Sequence, residues 1–394
     1  MQTSITWREL FIRFALVFIC LGFWYTKLSL LYFPLLGIAW LIDGGLRRFK
    51  QDIKEPLIQA ILLLCTLLLV GLLWSELPED GRMKWTKYFM LLIFIPFYSL
   101  LTKERLPWAI GGLLTGYLGV LALGIYQWLV MGVQGIPLLG MNYLSFSAML
   151  GTGVVVAVGF ACLSPSIKLG MPLCVVAIAL LFVQFYQGGR IFLVATLITV
   201  LLLAFLRYKM EFRKFMGILL SVLSIAVVFA YNSPVFQDRW TQAKNDIELL
   251  QQGNYSSSLG YRLAMWDVGL HGIAERPLLG YGTGAPESYF ENTILTYKNG
   301  IYKNLPEFEE TAHYHNDWIE IAMHIGIPGI LALLFLLWSW YQIFNKNQLG
   351  ILGVGLVSYI FLAGLTDTFM IFSRTQILLL MITAVAISWQ RRLR

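Results

Sequence analysis

Long apolar runs separated by short polar punctuation dominate this chain. They predict membrane-spanning helices at approximately 10–25, 28–43, 56–74, 88–102, 107–131, 143–163, 171–188, 190–206, 215–231, 317–343, 348–366 and 370–390. Most of these runs approach the roughly 20 residues that carry a helix across a hydrocarbon core of about 30 Å. A spanning segment must satisfy its own backbone hydrogen bonds, which leaves helices or a closed barrel, and unbroken apolar runs lack the barrel's alternation. The expected fold is therefore an all-α polytopic membrane protein of about 12 transmembrane helices. One long polar interval breaks the rhythm, which divides the chain into 1–231 (spans one to nine), 232–316 (a large loop) and 317–394 (spans ten to twelve).

Composition supports this reading: 58% of residues are hydrophobic and 13% charged, against roughly 25% charged in a soluble domain. The first run lacks a small-residue cleavage site and is followed at once by a second, so it reads as a span rather than a signal peptide. Cys20, Cys65, Cys162 and Cys174 fall within apolar runs, where they read as packing residues rather than a disulfide framework. The net charge of +7 raises nucleic acid as a partner, but the basic residues lie in short blocks between spans, the pattern of topology signals. With both termini cytoplasmic, the inside segments hold seventeen Lys and Arg and the short outside segments six. The large loop then faces outward.

That loop carries helical pattern of its own. Ser258 stands as a cap before Leu263, Trp266 and Leu270 at helical spacing, and Pro277 follows as a stop, so a short amphipathic helix at the outer membrane surface is expected. A second helical stretch precedes it and ends at Gly253. No internal repeat is visible. The loop reads as a small, mostly helical lid.

Three groups of residues could carry chemistry. Arg190 lies between two apolar runs beside Gly188 and Gly189; it reads either as a snorkelling interface residue or as a charge awaiting an anionic ligand that the glycines let approach. Arg262, at the start of the lid helix, is a solvated lid residue or half of a clamp, since a guanidinium fork suits phosphate oxygens. Arg239, Arg276 and Arg374 are weaker members of that class. The third group is the stretch EETAHYHNDWIEIAMHIGIPG, which holds three of the four histidines. His313 and His315 with Glu309, Glu310 and Asp317 would suit a divalent metal, although no cysteine or H-E-x-x-H accompanies them. A general base needs less: one neutral imidazole, oriented by a neighbouring carboxylate. His324 reads as a residue of the following span and His271 as surface.

The stretches YRLAMWDVGLHGIAERPLLGYGTG and HNDWIEIAMHIGIPG together resemble the O-antigen ligase and polymerase superfamily. His315-Asn316, nine residues, then Gly326-Ile327-Pro328-Gly329 looks like that family's His-(Asn/Ser/Gln)-nine-Gly-x-x-(Gly/Thr/Tyr) pattern. The resemblance implies an inner-membrane glycosyltransferase of Gram-negative bacteria with its site facing the periplasm. It implies a polyisoprenyl-diphosphate-linked glycan as donor, a lipid A-core sugar as acceptor, and neither metal nor cofactor. On that resemblance His315 is the general base and Arg190 and Arg262 hold the donor's diphosphate, with inversion at the anomeric carbon. His313, Asn316, Trp266 and Tyr281 are the further substrate-binding candidates, in a cavity whose aromatic lining also draws on Trp240, Tyr289 and Trp318.

Three alternatives stand beside this one. A protein O-oligosaccharyltransferase usually carries a further C-terminal region, and this chain's end at Arg394 favours the lipid acceptor. Some polymerases use arginine, ten residues, glycine motifs, which none of the outer arginines here displays. A transporter of lipid-linked sugars is expected to show paired halves and broken helices, whereas the polar residues here gather in one asymmetric loop.

Overall fold

In the computed structural model, which describes residues 6–75, 83–308 and 313–393, regular structure is helical apart from one isolated antiparallel bridge between Ile136 and Met141. The helices run α1 (Trp7–Gly22), α2 (Ser29–Ile42), α3 (Gly45–Asp52), α4 (Pro56–Gly71), α5 (Phe94–Leu100), α6 (Leu106–Met131), α7 (Tyr143–Leu163), α8 (Ile167–Phe185) and α9 (Arg190–Tyr208). They continue with α10 (Phe212–Asn232), α11 (Pro234–Gln251), α12 (Ser258–Glu275), α13 (Pro286–Thr293), α14 (Leu305–Phe308), α15 (Asp317–Lys346), α16 (Gly350–Gly364) and α17 (Ser373–Leu393).

The protein is a polytopic membrane protein. Among the described residues seven helices, α4 with its 3₁₀ extension, α6 to α10 and α15, are each long and apolar enough to cross a bilayer, and α2 with α3 makes an eighth if that pair, bent by 91°, counts as one. The other predicted runs coincide with the shorter helices α1 and α16, with α17, which is long but less apolar, and with a 3₁₀ segment Lys84–Ile93 leading into α5. Polar residues within a run shorten its apolar stretch, as Glu9 and Arg13 do in α1.

Small residues let the central helices close on one another. α7 packs against α8, α9 and α16, and a methyl group on its Gly151 would meet the Tyr359 hydroxyl at 2.4 Å. α10 buries none of its residues and leans on α9 and α11 from outside. At the end of the bundle away from the lid, Arg105 bridges Asp43 (2.8 and 2.9 Å) and Glu9 (2.7 Å), fastening α6 to α1 and the α2–α3 bend. Asp43 also takes Arg8, and its side chain is 4% exposed. Breaking a buried pair by removing one partner strands the other charge, so Asp43→Ala is expected to destabilise the fold by roughly 3–5 kcal/mol. A fall in the thermal unfolding midpoint of the detergent-solubilised protein checks this.

The lid is made of α11 to α14. Its main helix, α12, starts one residue before the sequence reading: the cap is Ser257, whose Oγ accepts from the Gly260 N–H at 3.1 Å. The packed face is Tyr261, Ala264, Met265, Val268 and Gly272, against α15 and α13. Leu263 and Leu270 point outward, Leu270 at 58% exposure, leaving a second apolar stripe on the free side.

Helix α15 is broken at Ile325 and Gly326, where φ/ψ are −137°/19° and 64°/−153°. The cause lies in the sequence. Pro328 has no N–H for the His324 carbonyl, and the strap Pro277–Gly284 supplies the missing partners. Gly282 N–H donates to the His324 carbonyl (3.0 Å), Tyr281 N–H to that of Met323 (2.9 Å), and Ile327 N–H to that of Pro277 (2.9 Å). A Cβ at Gly326 would lie 2.5 Å from the Leu278 carbonyl, so only glycine fits. The two sequence stretches that resembled a family thus meet in one contact.

Candidate functional site

His315 sits just before α15 with φ +47°, a left-handed conformation unusual outside glycine. Trp266 of α12 holds this turn by donating its indole N–H to the carbonyls of Tyr314 (3.0 Å) and His315 (3.3 Å). Asn316 caps the helix: its Oδ1 accepts from Trp318 and Ile319 N–H and its Nδ2 donates to the Leu365 carbonyl. Both ends of that amide are therefore committed to backbone. The Tyr314 N–H donates to Glu320 (2.8 Å), whose other oxygen takes His324 Nε2–H at 3.2 Å, while His324 Nδ1 accepts from Gly284 N–H at 3.1 Å. His324 is thus a buried strut between the strap and the turn.

Across from His315 stands Asp367, in the connection between α16 and α17 and 1% exposed. His315 Nδ1 lies 3.0 Å from Asp367 Oδ1, which also accepts from the Thr368 N–H at 2.9 Å. His313 Nε2 lies 3.5 Å from the same oxygen, and the two imidazoles are 4.1 Å apart. Burial would raise the Asp367 pKa, but its hydrogen bonds with the two histidines depress it, so the carboxylate is charged. For His315, burial holds the pKa below the ordinary value against the pull of Asp367, with His313 and Arg262 adding to the lowering. A carboxylate acceptor at Nδ1 fixes the tautomer with its proton there and leaves Nε2 as a free lone pair. Among the described residues nothing bonds to that nitrogen. The predicted carboxylates Glu309 and Glu310 lie outside the described residues, and Asp317 instead accepts from the Met370 N–H.

His313, His315 and Asp367 also place three ligand atoms within 4.8 Å of one another, a set that could receive a metal. The shared Oδ1 already gathers a backbone N–H and two imidazole nitrogens, which satisfies it as a hydrogen-bond acceptor.

The arginines gather nearby. Arg190 begins α9 and donates to the Arg239 carbonyl; the Arg239 guanidinium lies 5.1 Å above the Tyr143 ring. A methyl on Gly188 would meet that guanidinium at 2.8 Å, so in this structure the bare backbone admits Arg239. Arg262 reaches Ser258 at 2.9 Å and keeps a buried, unbonded Nε. Its charge acts on both Arg190 and His315, so it lies within electrostatic reach of each. Tyr281 stands apart, hydrogen-bonded to Glu275 (2.6 Å) beneath Arg276.

Asp367 and Glu320 were not singled out by sequence. A signal existed for Asp367: it is the only carboxylate after Glu320, between two apolar runs.

Fold and site together define a multi-pass membrane protein with a carboxylate-oriented histidine and a cluster of arginines at one end of a helical bundle. Residues 172–334 match the sequence model of the family described as O-antigen ligase. It is 32% identical to the O-antigen ligase of Escherichia coli K12 over 148 residues, 35% of this chain and 34% of that one. It is 27% identical to an uncharacterised protein of Haemophilus influenzae over 138 residues, 34% of this chain and 33% of that one. The match therefore spans about a third of the length of each of these relatives.

Proposed function

We propose that the protein is an O-antigen ligase, transferring a glycan from a polyisoprenyl diphosphate to a sugar hydroxyl of lipid A-core. The observation that carries the reading is the free Nε2 of a histidine whose other nitrogen is fixed by a charged carboxylate, within the field of Arg262. In the reaction the acceptor hydroxyl gives its proton to His315 Nε2 while its oxygen attacks the anomeric carbon. The bond from that carbon to the diphosphate oxygen breaks, and its electron pair leaves with the lipid diphosphate. Attack opposite the leaving group inverts the anomeric centre. Arg190 and Arg262 take up the charge that develops on the diphosphate, Arg239 supports Arg190 through its carbonyl, and His313 steadies the Asp367 carboxylate.

The same reading places the protein in a bacterial inner membrane with about 12 crossings, both termini cytoplasmic, and residues 232–316 as a periplasmic lid over two lipid substrates. The outward stripe of Leu263 and Leu270 suits a helix resting on the membrane surface.

The histidine–aspartate cluster favours one second reading, a metal-assisted transfer. Purified protein given both lipid substrates without an energy source separates the two. Covalent joining is expected, unchanged by a chelator; loss on chelation, restored by one divalent ion, would favour the metal. Movement of the donor without joining would make the protein a transporter.

A further inference from the structure

Two turns of this protein carry the same dipeptide. Gln134-Gly135 lies in the connection from α6 to α7, and Gln187-Gly188 in the hairpin from α8 to α9 that delivers Arg190. The two pairs clasp one another reciprocally. Gly135 N–H donates to Gln187 Oε1 at 2.8 Å, and Gly188 N–H donates to Gln134 Oε1 at 2.9 Å.

Both glycines are needed for this approach. Gly135 has φ +73°, and a Cβ there would lie 2.6 Å from the backbone nitrogen of Tyr143. A Cβ at Gly188 would meet Gln134 Oε1 at 2.7 Å and the Arg239 guanidinium at 2.8 Å. The clasp bears directly on the start of α9, because the Gly188 carbonyl accepts the Arg190 N–H at 3.1 Å. Stability alone does not account for Gln187. The residue is 4% exposed, and its Nε2 is buried with no hydrogen bond among the described residues, an arrangement that costs free energy.

The α6–α7 connection is anchored in turn. An antiparallel bridge between Ile136 and Met141 closes it, and Arg374 donates to its Leu139 (2.6 Å) and Gly140 (3.0 Å) carbonyls. Arg374 stands at the start of α17, directly after the connection that carries Asp367, the partner of His315. A continuous set of hydrogen bonds thus ties the hairpin of Arg190 to the stretch of chain that presents the carboxylate of the base.

We propose that Gln134 and Gln187 are positioning residues, whose clasp sets the α8–α9 hairpin so that the Arg190 guanidinium meets the donor's diphosphate. This rests on the role of Arg190 in the transfer reaction proposed above.

The test uses the purified full chain with Gln134→Ala and Gln187→Ala, each alone and combined with Arg190→Ala. Gln134 is half-buried and gives the gentler variant, and the Trp128 and Tyr186 rings, 4.5 Å apart, still hold the two elements together. Each single variant is expected to lower the donor kcat/KM at least about tenfold, since misplacing a group by about 1 Å can cost about 10²-fold. The acceptor KM is expected to change less than about twofold, because the clasp bears on the donor side. In the Arg190→Ala background neither substitution should cost anything further, because the clasp acts through that arginine. A further loss in that background, or a raised acceptor KM instead, would show a general structural role and overturn the proposal. Binding of a polyisoprenyl diphosphate without glycan to the detergent-solubilised protein is read in parallel. Binding weakened by Gln134→Ala, and indifferent to it once Arg190 is alanine, supports the positioning role even if no transfer is found, an outcome that would sink the reaction alone. Wild-type binding and transfer in both single variants would overturn the positioning role and leave the reaction standing.

Discussion

His315→Ala is expected to lower the rate of transfer by about 10²–10⁴-fold while the protein inserts and folds normally, because a positioned general base contributes that much. Asp367→Asn is the informative companion. An amide can still contact Nδ1, but it no longer stabilises the imidazolium that forms as the acceptor's proton moves, so the maximal rate falls. The pH profile separates this from a structural defect. Transfer needs His315 neutral, so the rate drops as pH falls through its pKa, which lies below the ordinary value of about 6.5. Removing the Asp367 charge removes a force that favours protonation, and the acid limb is expected to move to still lower pH. Wild-type transfer in His315→Ala, or an acid limb that stays in place in Asp367→Asn, would refute the base assignment. His313→Ala should cost less than either, since its ring touches Asp367 only at 3.5 Å.

The apolar periodicity carried the helical membrane class and the large loop, because burial in lipid leaves a one-dimensional trace. It did not distinguish spans of different build: α6 has 26 residues and α16 has 15, and a hydropathy pattern does not show where a chain turns into 3₁₀ or bends. The spacing from His315 to Gly326 was legible and had a physical basis that sequence could not display. Gly326 is the hinge where the glycine-rich strap crosses, and that crossing holds the turn on which His315 stands. Asp367 was missed because its role exists only through a contact 52 residues away in sequence. Asn316 was legible as part of a motif, yet its amide is occupied in capping.

Arg262→Ala and Arg190→Ala are each expected to lower kcat by about 10²–10³-fold, the usual cost of losing one preorganised donor to a developing negative charge. Replacement by lysine should recover part of the loss, since the charge remains while the fork that spans two phosphate oxygens does not. The double alanine variant should be little worse than either single one if both arginines act on the same leaving diphosphate, because residues that work as a unit do not contribute additively. Stability gives the discriminating control. Neither arginine forms an ion pair among the described residues, Arg239 and Arg262 oppose the charge of Arg190, and Asp246 is the carboxylate that favours it. Taking one cation out therefore relieves repulsion without stranding a buried counter-charge, in contrast to Asp43→Ala at the other end of the bundle, which leaves the cations around Asp43 without that partner. The thermal midpoint of Arg190→Ala should hold or rise while transfer collapses. A midpoint that falls with activity would mean that the arginines hold the hairpin and lid together rather than the diphosphate.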